Sequence, residues 1–184
     1  MPYLANVNVR WGMFDLQNLR EMKFEADELE TYGLRYGDIV MCEGGEPGRC
    51  AIWTDQVPNM MLQKAIHRIR SKDEVNFRYL YYNLLDKARA GHLESLFTGS
   101  TIKHLPGEKL KTVKVEVPTN KLMDLFSKTV EPMACQVEVL TKRNQNLRAT
   151  RDLLLPKLIS GQLDVEELDI DLGLTSDELQ GTSV

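Results

Sequence analysis

The apolar positions of this 184-residue chain change period along its length, and each period predicts a different element. Residues 6–9 alternate polar and apolar side chains, which is typical of a half-buried strand. The compact run Ile39-Val40-Met41-Cys42 predicts a buried strand, and residues 50–53 predict its neighbour after a Gly/Pro-rich loop, as in a wide hairpin. Alternation over 65–70 and over 112–117 predicts two more strands.

Helical spacing appears in two places before residue 118. Residues 25–32 predict a short helix that ends at Gly33. Residues 76–96 predict a longer helix, because Leu80, Leu84 and Ala88 recur at intervals of four. Residues 1–118 therefore predict a mostly β domain with peripheral helices.

The apolar positions after residue 118 predict one long helix over 119–162, since they are separated alternately by four and three residues. This seam covers 33 residues, or about 50 Å of helix. Its members are Phe126, Val130, Met133, Val137, Leu140, Asn144, Leu147, Arg151, Leu154 and Leu158. The two polar members lower the stability of a coiled coil but select its register and partner.

The long helix has two interpretations, an intermolecular coiled coil or an amphipathic helix that lies on its own domain. A helix of this length would overrun a domain whose radius of gyration is about 13 Å, which favours the coiled coil. Pro132 fits the helix start or a kink, Pro156 should loosen the last turns, and Ser160-Gly161 is the expected end. The predicted fold class is α+β: a mostly β domain with peripheral helices, followed by a long coiled-coil α-helix.

The composition is that of a globular protein, with 42% hydrophobic and 27% charged residues. The sequence contains no apolar run long enough to cross a membrane, and residues 1–12 lack the features of a secretory signal. The three cysteines form no CxxC pair, so neither disulfides nor a zinc site is expected, and we expect a cytoplasmic location.

The net charge of -4 is unevenly distributed. Residues 61–114 contain 11 Lys/Arg and 5 Asp/Glu, which fits either a polyanion-binding face or an ordinary solvated surface. Residues 164–184 contain 7 Asp/Glu and no Lys/Arg. We therefore expect 163–184 to be an acidic, mobile tail.

The motifs of several enzyme classes are missing from the sequence. There is no phosphate-binding P-loop, no HExxH, no GxSxG and no Pro-Pro pair of the kind found in the catalytic motif of adenine methyltransferases. The three histidines are too scattered to suggest a metal site, and none is predicted. We expect a binding protein rather than an enzyme. An enzyme with an unfamiliar site stays as an alternative.

The candidate DNA contacts combine glycines, which allow close backbone approach, with hydrogen-bond donors that suit phosphates and base edges. They are Gly44, Gly45, Arg49, Gln63, Lys64, His67, Arg68, Arg70, Ser100, Thr101, Lys103 and His104. Phosphate-positioning residues cannot be separated from base-reading residues by sequence.

Four ordered segments give the chain a family resemblance. They are Tyr3-Leu4-Ala5-Asn6-Val7, the stretch from Gly37-Asp38-Ile39-Val40 through Gly44-Gly45-Glu46-Pro47-Gly48-Arg49, residues 63–70 and residues 99–105. Together with residues 147–161, which resemble the end of a spacer helix, they closely resemble DNA specificity subunits of type I restriction–modification systems. The resemblance covers roughly residues 2–165.

The resemblance implies a non-catalytic subunit whose recognition domain reads one half of a bipartite site on double-stranded DNA. Its spacer helix would set the distance between the halves and dock the methyltransferase subunit, which would carry S-adenosylmethionine and methylate adenine. A restriction subunit is a further expected partner. No cofactor is expected in this chain.

The chain departs from the family pattern in having one recognition domain and one spacer helix instead of two of each. It also begins where family members usually have an earlier part of the domain, and we expect either a naturally half-length chain or a truncated form. We expect two copies, or this chain and another specificity polypeptide, to pair through antiparallel helices. The alternative is a coiled-coil adaptor that has lost specific DNA binding.

Overall fold

The computed structural model describes residues 1–63, 65–72 and 75–164. The fold is α+β, as predicted, with strands in small sheets and a long C-terminal helix. The strands are β1 (Pro2–Leu4), β2 (Val9–Arg10), β3 (Met13–Phe14), β4 (Arg20–Glu21), β5 (Ile39–Cys42), β6 (Cys50–Ile52), β7 (Met61–Leu62) and β8 (Ile66–Ile69). The helices are α1 (Glu28–Tyr32), α2 (Phe77–Arg89), α3 (Gly107–Leu110) and α4 (Asn120–Ile159).

The central sheet has the order β6-β5-β8, and both pairings are antiparallel. All four residues of β5 are buried because both faces of the sheet are covered. Val40 and Cys42 pack into one apolar cluster with Trp53 and the N-terminal strands. Ile39 and Met41 pack into a second cluster, which includes residues of α2, Leu93 and Leu105.

Two smaller sheets surround the first cluster. The strands β4, β1 and β7 form one sheet, and β2 pairs with β3 in the other. Phe14 of β3 meets Trp53 edge to face, with ring centroids 5.4 Å apart. The N-terminal segment is thus part of the domain core.

The predicted hairpin of β5 and β6 and the predicted strand β8 are confirmed. Two other strand predictions are wrong. Residues 6–8 form a 3-10 turn, and the strand begins at Val9. Residues 112–117 form no strand, although Val113 and Val115 pack against the second cluster. Their alternation reflects one-sided burial without a strand partner.

The predicted helix over 76–96 ends earlier, at Arg89, and a separate 3-10 turn occupies 94–96. Helix α4 continues through Pro132 and Pro156 and ends just before Ser160-Gly161, where Gly161 has a φ of 72°. The chain forms two compact units, Met1–Met133 and Ala134–Val184. The predicted acidic tail lies outside the described residues, except for Leu163 and Asp164.

Candidate nucleic-acid interface

The loop between β5 and β6 depends on glycine at two positions. A Cβ atom at Gly44 would lie 3.1 Å from the imidazole of His104, so the ring packs directly on the backbone. Gly48 has a φ of 89°, in the left-handed region that favours glycine, and its Cα faces Ala88 and Leu93. The loop is therefore packed closely against the domain that carries it.

Arg49 at the end of this loop is held by the protein itself. One terminal nitrogen donates to Oε2 of Glu46 at 2.9 Å, and the other donates to the backbone oxygen of Asn6, also at 2.9 Å. The side chain is 14% exposed, and its Nε has no hydrogen-bond partner among the described residues. Burial raises the pKa of the neighbouring Cys42 thiol, although the Arg49 guanidinium opposes that shift. Arg49 thus joins the loop to the N-terminal segment.

The second predicted DNA-contact loop is a short hairpin over 98–104. Thr98 and His104 exchange two backbone hydrogen bonds of 2.8 and 2.9 Å, which close it. Ser100, Thr101, Lys103 and His104 are all exposed. Ile102 is 65% exposed between them. The hairpin presents hydroxyl groups, a cation and an apolar side chain to solvent.

The loop between β5 and β6 and this hairpin line a common cavity of about 680 Å³, which includes Gly45, Thr101 and Lys103. We call this surface the loop face. It also includes Trp11 and Arg89, which the sequence reasoning missed. The guanidinium of Arg89 lies 5.4 Å from the centre of the Trp11 ring, and Trp11 Nε1 donates to Glu46 at 2.7 Å. No periodic pattern connects these distant residues, so local sequence gives no signal for them.

The candidates on and near β8 lie on a different surface, a groove of about 700 Å³ lined by Gln63, His67, Arg68 and Arg70. We call it the β8 groove. Three of these side chains have intramolecular partners. His67 Nε2 lies 2.7 Å from the Leu105 oxygen, Arg68 donates to the Gly33 oxygen at 2.7 Å, and Arg70 forms two 2.7 Å bonds with buried Asp38. Lys64 lies outside the described residues.

The electrostatics of the β8 groove follow from these contacts. Burial lowers the pKa of Arg68, and the nearby Arg70 acts in the same direction. The hydrogen bonds that Arg70 donates to Asp38 raise the pKa of Arg70. Of the twelve candidates, three line the loop-face cavity and four line the β8 groove. The charge of the β8 groove is partly neutralised by internal contacts.

The seam of α4 has two kinds of surroundings. Phe126 meets the ring of Tyr79 edge to face, with centroids 5.4 Å apart, and Val130 is half-buried. The other members are exposed, and Leu147 is 66% exposed. They are Met133, Val137, Leu140, Asn144, Leu147, Arg151, Leu154 and Leu158. Whether these side chains form a coiled coil stays a prediction.

No group of three or more His, Cys, Asp or Glu side chains among the described residues is arranged to hold a metal ion. None of the helices there combines the length and apolar character needed to cross a bilayer. What the described residues do offer is an α+β domain with two solvent-accessible grooves and a long helix with exposed apolar residues.

No protein-family model matches the chain. A stretch of 99 residues is 26% identical to the type I restriction enzyme HindI specificity subunit of Haemophilus influenzae. The match covers 53% of this chain and 22% of that protein. It is a weak similarity, and it supports the predicted family resemblance over about half of the chain.

Proposed function

We propose that this chain is a non-catalytic DNA-recognition subunit of a type I restriction–modification complex. The observation that carries the proposal is its similarity to a type I specificity subunit. The loop face supports it, because exposed Ser100, Thr101 and Lys103 provide donors suited to phosphates and base edges. In this proposal the chain reads one half of a bipartite site in the cytoplasm.

Helix α4 has the second role in this proposal. Its exposed apolar residues pair antiparallel with a second copy or another specificity polypeptide, so that two domains read the two halves of the site. The paired helices also dock the methyltransferase subunit, which carries S-adenosylmethionine and methylates adenine. A restriction subunit joins the same complex.

Methylation mapping of cellular DNA, with and without the gene for this chain, tests the proposal directly. We expect a bipartite adenine-methylation motif that disappears when the gene is removed. A homodimer would produce two identical half-sites in inverted order. An unchanged methylation pattern would contradict the proposed function.

DNA binding by the full chain gives a sharper test on a duplex that carries the mapped motif. We expect the logarithm of the binding constant to fall linearly with the logarithm of salt concentration. Lys103→Ala should reduce that slope by about 1, since each phosphate contact releases counterions. Lys23→Ala is the matched control, because Lys23 is an exposed lysine that does not line the loop face.

The adaptor hypothesis is the second candidate function, and the internal contacts of Arg49 and Arg70 favour it. These contacts occupy two guanidinium groups that DNA phosphates would otherwise contact. An adaptor predicts that the chain associates with the methyltransferase subunit but shows no salt-dependent binding to the duplex. It also predicts that Lys103→Ala changes nothing.

A further inference from the structure

Strand β8 is at the edge of the central sheet, where a row of backbone groups is open to pairing. The Glu43 amide donates to the Ala65 oxygen, so the groups of Ala65 point towards the β5 side. His67 and Ile69 share this orientation because neighbouring residues of an antiparallel strand alternate. The N–H and C=O groups of Ile66 and Arg68 therefore point into the β8 groove. Among the described residues, no backbone hydrogen bond occupies them.

The two sides of this edge have different chemistry. On one side, Arg68 and Arg70 share a face of the strand. Arg70 is paired with Asp38, whereas the described partners of the Arg68 guanidinium are the neutral carbonyls of Glu30 and Gly33, so Arg68 supplies the cationic charge of this side. On the other side, Ile69 lies with Leu110, Val113 and Val115 in the second apolar cluster. An added strand that fits this edge needs acidic residues on one face and apolar residues on the other.

The chain's own sequence contains a segment of this chemistry. Residues 167–172 read Glu-Leu-Asp-Ile-Asp-Leu, with acidic and apolar residues in strict alternation. In an extended chain such alternation puts the three carboxylates on one face and the three apolar side chains on the other. Residues 164–184 contain seven acidic residues and no Lys or Arg, which complements the cationic side of the β8 groove.

The proposed antiparallel pairing determines which copy supplies the segment. A helix of 40 residues is about 60 Å long, so antiparallel pairing brings the end of each α4 beside the start of its partner. Val115 lines the β8 groove and precedes the first residue of α4 by only five positions. Seven residues separate Ile159 from residue 167, and an extended chain of that length spans about 25 Å.

We propose that the β8 groove binds residues 167–172 of a second copy of this chain, as a strand added to the edge of β8. This inference rests on the antiparallel pairing of the proposed function. Each copy in the pair thereby holds the end of the other, and the contacts at the helix ends reinforce those of the apolar seam.

A peptide-binding experiment tests the occupant. The receptor is the full chain carrying Leu168→Lys and Ile170→Lys, and the probe is a fluorescent peptide of residues 164–175. We expect saturable binding that Val115→Glu weakens about tenfold or more, because the new carboxylate repels the peptide and removes apolar contact. Val117→Glu is the matched control: Val117 is two positions away, exposed and outside the groove lining, and we expect less than a twofold change.

Equal binding of a scrambled peptide, or equal effects of Val115→Glu and Val117→Glu, would overturn the inference. Disulfide crosslinking identifies the copy. It uses Val113→Cys and Leu172→Cys on two chains of different size, both with Cys135→Ser, since Cys135 is exposed whereas the other two cysteines are buried. We expect a crosslink between unlike chains when these are mixed. In a chain that carries both new cysteines, crosslinking within the single chain alone would overturn the assignment to a second copy.

The proposed function has a separate readout, namely methylation of the mapped motif and binding to its duplex. Loss of peptide binding with an intact motif would refute the groove assignment and leave DNA recognition standing. Absence of the motif together with specific, Val115-dependent peptide binding would refute DNA recognition and leave the groove assignment standing.

Discussion

Residues 120–133 and 134–159 of α4 carry the same spacing of apolar residues but have different surroundings. In the first segment, Phe126 packs against the rings of Tyr79 and Tyr82 on α2. In the second, Leu147 and its neighbours in the seam are exposed. Helical spacing identifies the apolar face of a helix, while only tertiary structure shows whether the same chain covers that face.

Polar contacts reinforce the first segment. The Asn76 side chain caps α2 by accepting from the amides of Arg78 and Tyr79, and its amide nitrogen donates to Ser127 and Glu131. The buried guanidinium of Arg78 donates to Glu131 at 2.9 Å and to the Tyr36 hydroxyl at 2.9 Å. The start of α4 is therefore joined to α2 by both apolar and ionic contacts.

The largest effect is expected for Arg78→Ala. The change removes a buried cation that donates to Glu131 and to the Tyr36 hydroxyl, and it leaves the partly exposed Glu131 carboxylate without it. We expect a loss of about 2–3 kcal/mol in the free energy of unfolding, measured by urea denaturation with Trp fluorescence. Arg143→Ala in the exposed segment is the control, with an expected change below about 0.5 kcal/mol. Equal losses would refute the contrast between the two segments.

Lowering the pH should weaken the contacts of the first segment of α4, because it protonates the Glu131 carboxylate. Burial alone would raise the pKa of this carboxyl, but hydrogen bonds from Arg78 and Asn76 outweigh burial and lower it below its ordinary value of 4.5. The resulting stabilisation is present above the unfolded pKa and is lost as the pH falls through the folded pKa. The Glu131 side chain is 41% exposed, so solvent screening reduces the effect. Glu131→Gln should therefore cost at most about 1 kcal/mol at pH 7 and progressively less in acid, as seen from Tm against pH.

Asp124→Asn is the control for this pH profile, because Asp124 is exposed in the same segment of α4. We expect its Tm to follow that of the original chain at every pH. A difference between Glu131→Gln and the original chain that stays constant in acid would contradict the role of the ionised carboxylate.

The smallest effect on unfolding is expected for Leu147→Asp, below about 0.5 kcal/mol in dilute solution, because the side chain is already exposed. Self-association should respond instead, since a carboxylate in an apolar seam lacks a partner. Sedimentation equilibrium over a range of concentrations measures this. Unchanged association would argue against the pairing of the exposed segment.

Local sequence was sufficient for the central hairpin and for α4. The apolar run of β5 and the long heptad spacing are signals that backbone geometry imposes within a few turns. It was insufficient for residues 112–117, where one-sided burial of Val113 and Val115 imitates the alternation of a strand. Strand formation needs a hydrogen-bonding partner, and a partner distant in sequence leaves no local pattern.

In the candidate site, too, local sequence predicts the residue types but not the contacts between distant residues. Residue type identifies Arg49, Arg68 and Arg70 as hydrogen-bond donors, but their internal partners at Asn6, Gly33 and Asp38 come from 32 to 43 residues away. Trp11 and Arg89 join the loop face by the same long-range folding. Only the tertiary fold determines which donors face solvent.

The contact between Gly44 and the His104 ring has an evolutionary consequence. The ring packs on the backbone at Gly44 and so fixes the base of the 98–104 hairpin, while none of the described hydrogen bonds involves Ser100, Thr101 or Ile102. We expect exchanges at Ser100, Thr101 and Ile102 to be tolerated, since the stem keeps its shape whatever the tip carries. Under the proposed function, exchanges at this tip would change the DNA contacts while the stem of the hairpin keeps its conformation.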